Sequence, residues 1–192
     1  MAGRNPIDIT FQDEGLAEIR RRLGDMEKRA PSVQANALNQ TQTVLKKYHP
    51  EQAKEKYTYK RKLQKPRQQR ASRKKLSATL FYDRKDPGLN YFDFEAGNPG
   101  TPRNTPGAQL AAKVHSDGSL KPISRAFVMN GNIFRRDGSE RLPLSRLFGP
   151  SEHSMINSVW EESSTQEYTN RMLAEKLDDQ INNQFLKKWG LK

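Results

Sequence analysis

Two dipeptides, Asn130-Gly131 and Asp137-Gly138, punctuate short apolar runs between Ile123 and Leu147. Both pairs tolerate the positive φ angles of two-residue hairpin turns, whose twist matches that of paired strands. The stretches Arg125 to Met129, Asn132 to Arg136 and Arg141 to Leu144 therefore read as a three-stranded antiparallel meander. Pro143 cannot donate to a ladder, so the third strand is expected to be short and at an edge.

The period changes on either side of this meander. Leu16, Ile19, Leu23 and Met26 recur at three and four residues and predict a helix from about Asp13 to Arg29. Pro31 suits the first turn of a second helix, with an apolar face from Val33 to Tyr48 that Pro50 is expected to stop or kink. Leu76 to Tyr82 alternates as a strand closed by Asp86-Pro87-Gly88, and Tyr91, Phe92 and Phe94 suggest its partner. The segment 97–107, rich in proline and glycine, reads as a long loop. Ser151 is the expected cap of a C-terminal helical region, 151–189, with Glu152 at the positive end of its dipole. The polar stretch from Glu161 to Arg171 either bridges solvent or breaks that helix. Its later part carries a stripe of Leu173, Leu177, Ile181, Phe185 and Trp189 that must bury on the chain's own sheet or on a neighbour, with part of it expected against an adjacent subunit or tail ring.

Charge is concentrated. From Lys46 to Lys75 thirteen basic residues face only Glu51 and Glu55, which accounts for +11 of the chain's +12. Such a block attracts polyanions, with an affinity that falls steeply as salt rises. Read as a basic arm over 46–75, it nominates Lys60, Arg61, Lys62, Lys65, Arg67, Arg70, Arg73, Lys74 and Lys75 as contacts to DNA or to an acidic partner. The alternative is a solvated loop or helix face.

Composition narrows the chemistry. The 192 residues suit one domain, and with glycine added the apolar share of 33% stays below that of a typical globular chain, so part of the chain lacks a core. Its longest apolar run is four residues, Ala126 to Met129, which predicts neither a membrane span nor the usual secretion signal. There is no cysteine, and His49, His115 and His153 are scattered. No phosphate-binding loop, dinucleotide pattern, nucleophile elbow or metal-binding helix motif occurs. Asp83, Asp86, Asp93 and Glu95 could be read as a two-metal nuclease site, but acidic residues flanking aromatic strands are more often solvent-facing alternates. The expectation is a protein without catalytic residues, cofactor or metal.

The run ISRAFVMNGNIFRRDGSERLPLSRLFGPS, from Ile123 to Ser151, resembles the central motif of the phage minor tail protein Z family. The resemblance rests on Ala126-Phe127, Asn130-Gly131, Phe134-Arg135-Arg136, Arg141-Leu142-Pro143 and Gly149-Pro150-Ser151. Outside those thirty or so residues it is architectural: an N-terminal helical region with an alanine-asparagine turn at Ala35 to Asn39, a basic middle, strands and a C-terminal helix. It implies an α+β subunit with an antiparallel sheet, two N-terminal helices and a long C-terminal helix. It further implies a tail-completion or neck protein of tailed phages, joining the tail to the DNA-filled head as a ring, sixfold, around the DNA channel. Implied partners are other copies of the chain, tail terminator and head-tail connector proteins, the tape measure protein, and channel DNA by non-specific contact. Segments 97–107 and Asp83 to Glu95 have no place on the family pattern. The competing class is a sequence-independent nucleic-acid-binding protein, for which charge is the whole case.

Overall fold

A computed structural model describes residues 6–10, 19–96, 109–138, 140, 142–188 and 190. The fold is α+β, with helices and antiparallel sheets. The chain divides into two compact units: Met1–His49, Lys65–Tyr82 and Asn157–Lys192 form the first, Pro50–Gln64 and Asp83–Ile156 the second. The segment 97–107 lies outside the described residues.

In the first unit the helical turn at 19–23 tightens into a 3-10 helix at Gly24–Arg29. Gly24, at φ +49, takes the left-handed conformation that ends α geometry there. Helix α1 then runs Ala30–Lys56, with Pro31 in its first turn as expected. The alanine-asparagine turn is absent, since Ala35 to Asn39 lie inside α1. Nor does Pro50 end the helix: its ring holds a helix-compatible φ, and the helix loses one hydrogen bond while continuing for six more residues. The first segment of the first unit ends at His49, and the first segment of the second begins at that proline.

The first unit's sheet has the order β1-β3-β2, from strands β1 (Ile7–Thr10), β2 (Arg67–Gln69) and β3 (Ser77–Phe81), all antiparallel. β3 thus pairs with β1 and β2, not with Tyr91, Phe92 and Phe94. Beyond Pro87 the chain takes a 3-10 turn at Leu89–Tyr91, and its next strand, β4 (Asp93–Glu95), pairs elsewhere. Ile7 and Ile9 are buried from β1, and Ala78, Thr79 and Leu80 from β3.

The second unit holds two three-stranded sheets. β5 (Ala111–Lys113) lies between β4 and β6 (Lys121–Pro122). The meander follows, with β7 (Ala126–Met129), β8 (Asn132–Arg136) and β9 (Leu144–Arg146) in the order β7-β8-β9. Met129 pairs with Asn132 across a two-residue loop in which Asn130 has φ +50 and Gly131 φ +71, as a type I′ turn requires. A Cβ at Gly131 would touch nothing within 4 Å, so strain there is purely backbone. Gly131→Val should therefore lower stability by about 1–3 kcal/mol, measured by thermal or urea melting; an unchanged midpoint would remove the I′ turn.

The second turn differs from expectation. Asp137-Gly138 does not close a two-residue hairpin; the connection runs over 137–143, and β9 begins only after Pro143. A strand on Arg141 to Leu144 would place proline's missing N–H inside the ladder. The Ser145 hydroxyl instead donates to Asp137 Oδ2 at 2.5 Å and ties the loop back.

Helix α2 (Glu152–Trp160) is capped by Ser151, whose Oγ accepts the Ser154 N–H at 3.2 Å. The helical region breaks at Glu161-Glu162, and α3 (Ser163–Lys188) follows, ~39 Å long at the helical rise.

Candidate nucleic-acid interface

All nine nominated cations are exposed, but they are not one arm. Lys60, Arg61 and Lys62 belong to the second unit, whereas Lys65, Arg67, Arg70, Arg73, Lys74 and Lys75 belong to the first. Earlier members of the 46–75 block, Lys46, Lys47, Lys54 and Lys56, ride on α1.

In the first unit the six cations sit on and around the β2–β3 hairpin. No acidic residue occurs between Lys65 and Tyr82. The tip is a closed turn: the Ser72 N–H donates to Lys75 O at 2.8 Å and the Lys75 N–H to Ser72 O at 3.1 Å. Two amide side chains of α1, three residues apart and so on one helix face, hold the hairpin down. Asn39 pairs with the backbone of Ala71 in both directions: its Nδ2 donates to Ala71 O at 3.1 Å, and its Oδ1 accepts the Ala71 N–H at 2.8 Å. Gln42 Nε2 donates to Gln69 O at 3.0 Å and to Thr79 O at 2.8 Å, so one side chain bridges both strands. The nearest carboxylate along the sheet is Asp8 on β1, which accepts the Thr79 hydroxyl at 2.5 Å. The cationic segment is thus a fixed surface.

Two of the second unit's three nominated cations, Lys60 and Arg61, are engaged with their own neighbours. Lys60 Nζ lies 3.2 Å from Asp93 Oδ1 and 5.8 Å from the Phe94 ring centroid. The Arg61 guanidinium packs 4.6 Å from the centre of the Tyr91 ring. The exposed Lys60 pair adds little stability, but it lowers the local positive charge.

The four acidic residues do not converge. Asp93 and Glu95 sit on β4, while Asp83 and Asp86 border a cleft of about 250 Å³ in the second unit together with Glu152. Among the described residues no group of three or more histidine, cysteine or acidic side chains could hold a metal ion. Glu152 is buried; burial is the main force raising its carboxyl's pKa, and the Gln64 N–H, donating to Oε2 at 2.9 Å, opposes it. Asp83 also raises it and Arg61 lowers it. Arg61, Lys85 and Arg146 face the three acidic groups around this cleft, which favours neither sign of ligand.

Among the described residues, the C-terminal stripe packs wholly or in part within the chain itself. Ile181, 1% exposed, belongs to a cluster with Ile19, Leu23, Ala30 and Val33, and Leu177 and Phe185 pack against it. Leu173 is buried as well, and Trp189 lies outside the described residues. Arg22 to Asp178 at 2.6 Å and Arg29 to Gln184 at 3.1 Å flank the same seam. Residues at 19–33 thus supply an apolar partner within the chain for Leu173 to Phe185, burying Ile181 fully and Leu177 and Phe185 in part. Removing Met172 to Lys192 would strip one wall of the first unit's core.

One buried polar cluster has no counterpart among the sequence expectations. His49 is fully buried on α1, with Nδ1 3.2 Å from the Tyr82 hydroxyl and Nε2 unpartnered. The Trp160 ring meets it edge-on at 5.7 Å. Burial pushes the imidazole pKa down from 6.5 to about 4 and pushes the Tyr82 hydroxyl's up.

No protein family, characterised protein or solved structure matches this chain.

Proposed function

We propose that this chain is a structural tail-completion or neck subunit of a tailed phage, forming a ring around the DNA channel and carrying out no catalysis. The observation that supports it is local: the described residues that carry the family resemblance fall in consecutive elements, from β7 through the I′ turn, β8 and β9 to the Ser151-capped start of α2. Leu173 and Ile181 are buried within the chain, so a ring contact through this stripe would use its half-buried members, Leu177 and Phe185. No helix among the described residues is long and apolar enough to cross a membrane. A density map of a tailed particle containing the chain is the test. The expected result is a closed ring, six copies by the family resemblance, at the head-tail joint. Copies dispersed along packaged DNA, or missing from the joint, would overturn the proposal.

A second reading, sequence-independent nucleic-acid binding, is favoured by the exposure of all nine nominated cations.

A further inference from the structure

We infer that the β2–β3 hairpin, not the basic segment as a whole, is the surface that grips the phosphate backbone of nucleic acid, and that Asn39 and Gln42 hold it in shape to do so. The inference rests on the nucleic-acid reading and needs no ring.

Lys65, Arg67, Arg70, Arg73, Lys74 and Lys75 are exposed on an element with no acidic residue in its own sequence. Arg67 opens β2, Lys65 lies two residues ahead of it, and Arg73, Lys74 and Lys75 follow one another in the turn closed between Ser72 and Lys75, so the cations run from one end of the hairpin to its tip. The intervening exposed side chains include Gln69 and Ser72, neutral groups of the kind that supplement arginine at phosphate and sugar oxygens. Cations interspersed with neutral hydrogen-bonding side chains are the make-up of a surface that contacts phosphate and sugar oxygens, which favours nucleic acid over an acidic protein. Lys60 and Arg61, by contrast, are turned to Asp93, Phe94 and Tyr91.

Rigidity completes the inference. A flexible cationic loop would lose conformational freedom on each binding event; here the amide pair from Asn39 and the bridge from Gln42 fix the backbone beforehand.

The test measures binding of a short mixed-sequence DNA duplex over a salt series, using the full chain and three variants. Replacing Arg67, Arg70, Arg73, Lys74 and Lys75 by glutamine should lower the slope of log affinity against log salt by up to about 4.5, near 0.9 for each phosphate that is no longer neutralised. The Lys60, Arg61 and Lys62 glutamine variant should lower it by less than about 1. Asn39→Leu keeps every charge, so its slope should stay while its Kd rises about threefold or more. A hairpin variant with an unchanged slope, or an equal drop in the 60–62 variant, overturns the hairpin assignment. Polyglutamate bound as tightly as the duplex overturns nucleic acid as the ligand in favour of an acidic protein, and unaltered affinity in Asn39→Leu overturns the role of the clamp. Because the five glutamines all lie at exposed positions, that variant tests the phosphate grip even if Asn39→Leu fails to fold. None of these outcomes depends on where the chain sits in a particle, so hairpin and neck proposals can fail separately.

Discussion

Gly149→Ala is expected to destabilise the protein by about 3 kcal/mol, although the substitution adds one methyl group. The glycine's φ is not in the left-handed region; the cost is steric. A Cβ at position 149 would overlap the Phe92 ring at Cε2, Cδ2 and Cζ. Phe92 is completely buried, its ring centroid 5.3 Å from that of Tyr59, so it has little room to withdraw. The backbone at 149 is pinned in turn, its N–H donating to Pro87 O at 2.9 Å while Gly88 bridges to Phe148. Phe92→Ala alone should cost about 3–5 kcal/mol from the cavity it leaves. In that background the added methyl has space, so the double variant should be no less stable than Phe92→Ala. Urea denaturation of the four proteins gives the coupling. Additive losses, or a Gly149→Ala protein with wild-type stability, would exclude the close packing of Gly149 on Phe92.

Acid should weaken the first unit through His49. Above about pH 6.5 the imidazole is neutral both folded and unfolded and contributes no pH dependence. Between 6.5 and about 4 the unfolded chain binds a proton that the folded site refuses, so stability falls with pH, by about 3 kcal/mol over the window, and levels off below it. The groups identified around the ring are the Tyr82 hydroxyl, the Trp160 edge and Tyr48 on the same helix, none of them an anion. Glu152 acts in the opposite sense: its raised pKa lets the folded protein take up a proton first, which adds stability as pH falls. Comparison with His49→Phe removes that background. From neutral pH to about pH 4 the wild type should lose about 3 kcal/mol more than the variant; parallel pH profiles would show that His49 is not held neutral.

The sequence was most legible where a backbone conformation needs particular residues. Asn130-Gly131 specified an I′ turn because few other pairs adopt two positive φ angles, and Ser151 specified a cap. Asp137-Gly138 carried a similar signal but yielded to Pro143, whose missing N–H moved the strand onward. β1 carries little signal because Ile7-Asp8-Ile9-Thr10 is too short for alternation to stand out, and the pairing of β3 with it is correspondingly hidden. The amphipathic stripe of α3 was visible, but periodicity says that a face is buried and not what buries it; Ile19, Leu23, Ala30 and Val33 supply the answer only in three dimensions. The cations were likewise countable, yet their division between units and the clamp from Asn39 and Gln42 depend on long-range pairing.

β2 closes one side of its sheet, and an edge strand is a template on which a second chain can align its own backbone. Arginines and lysines along and beside such an edge are a recognised safeguard against misassembly, because two copies brought edge to edge meet like charge with like charge. The hairpin's composition therefore also governs colloidal behaviour. Copies should remain dispersed while that charge is bare and lose the protection as ions screen it, over a distance that shrinks to about 10 Å at 0.1 M salt.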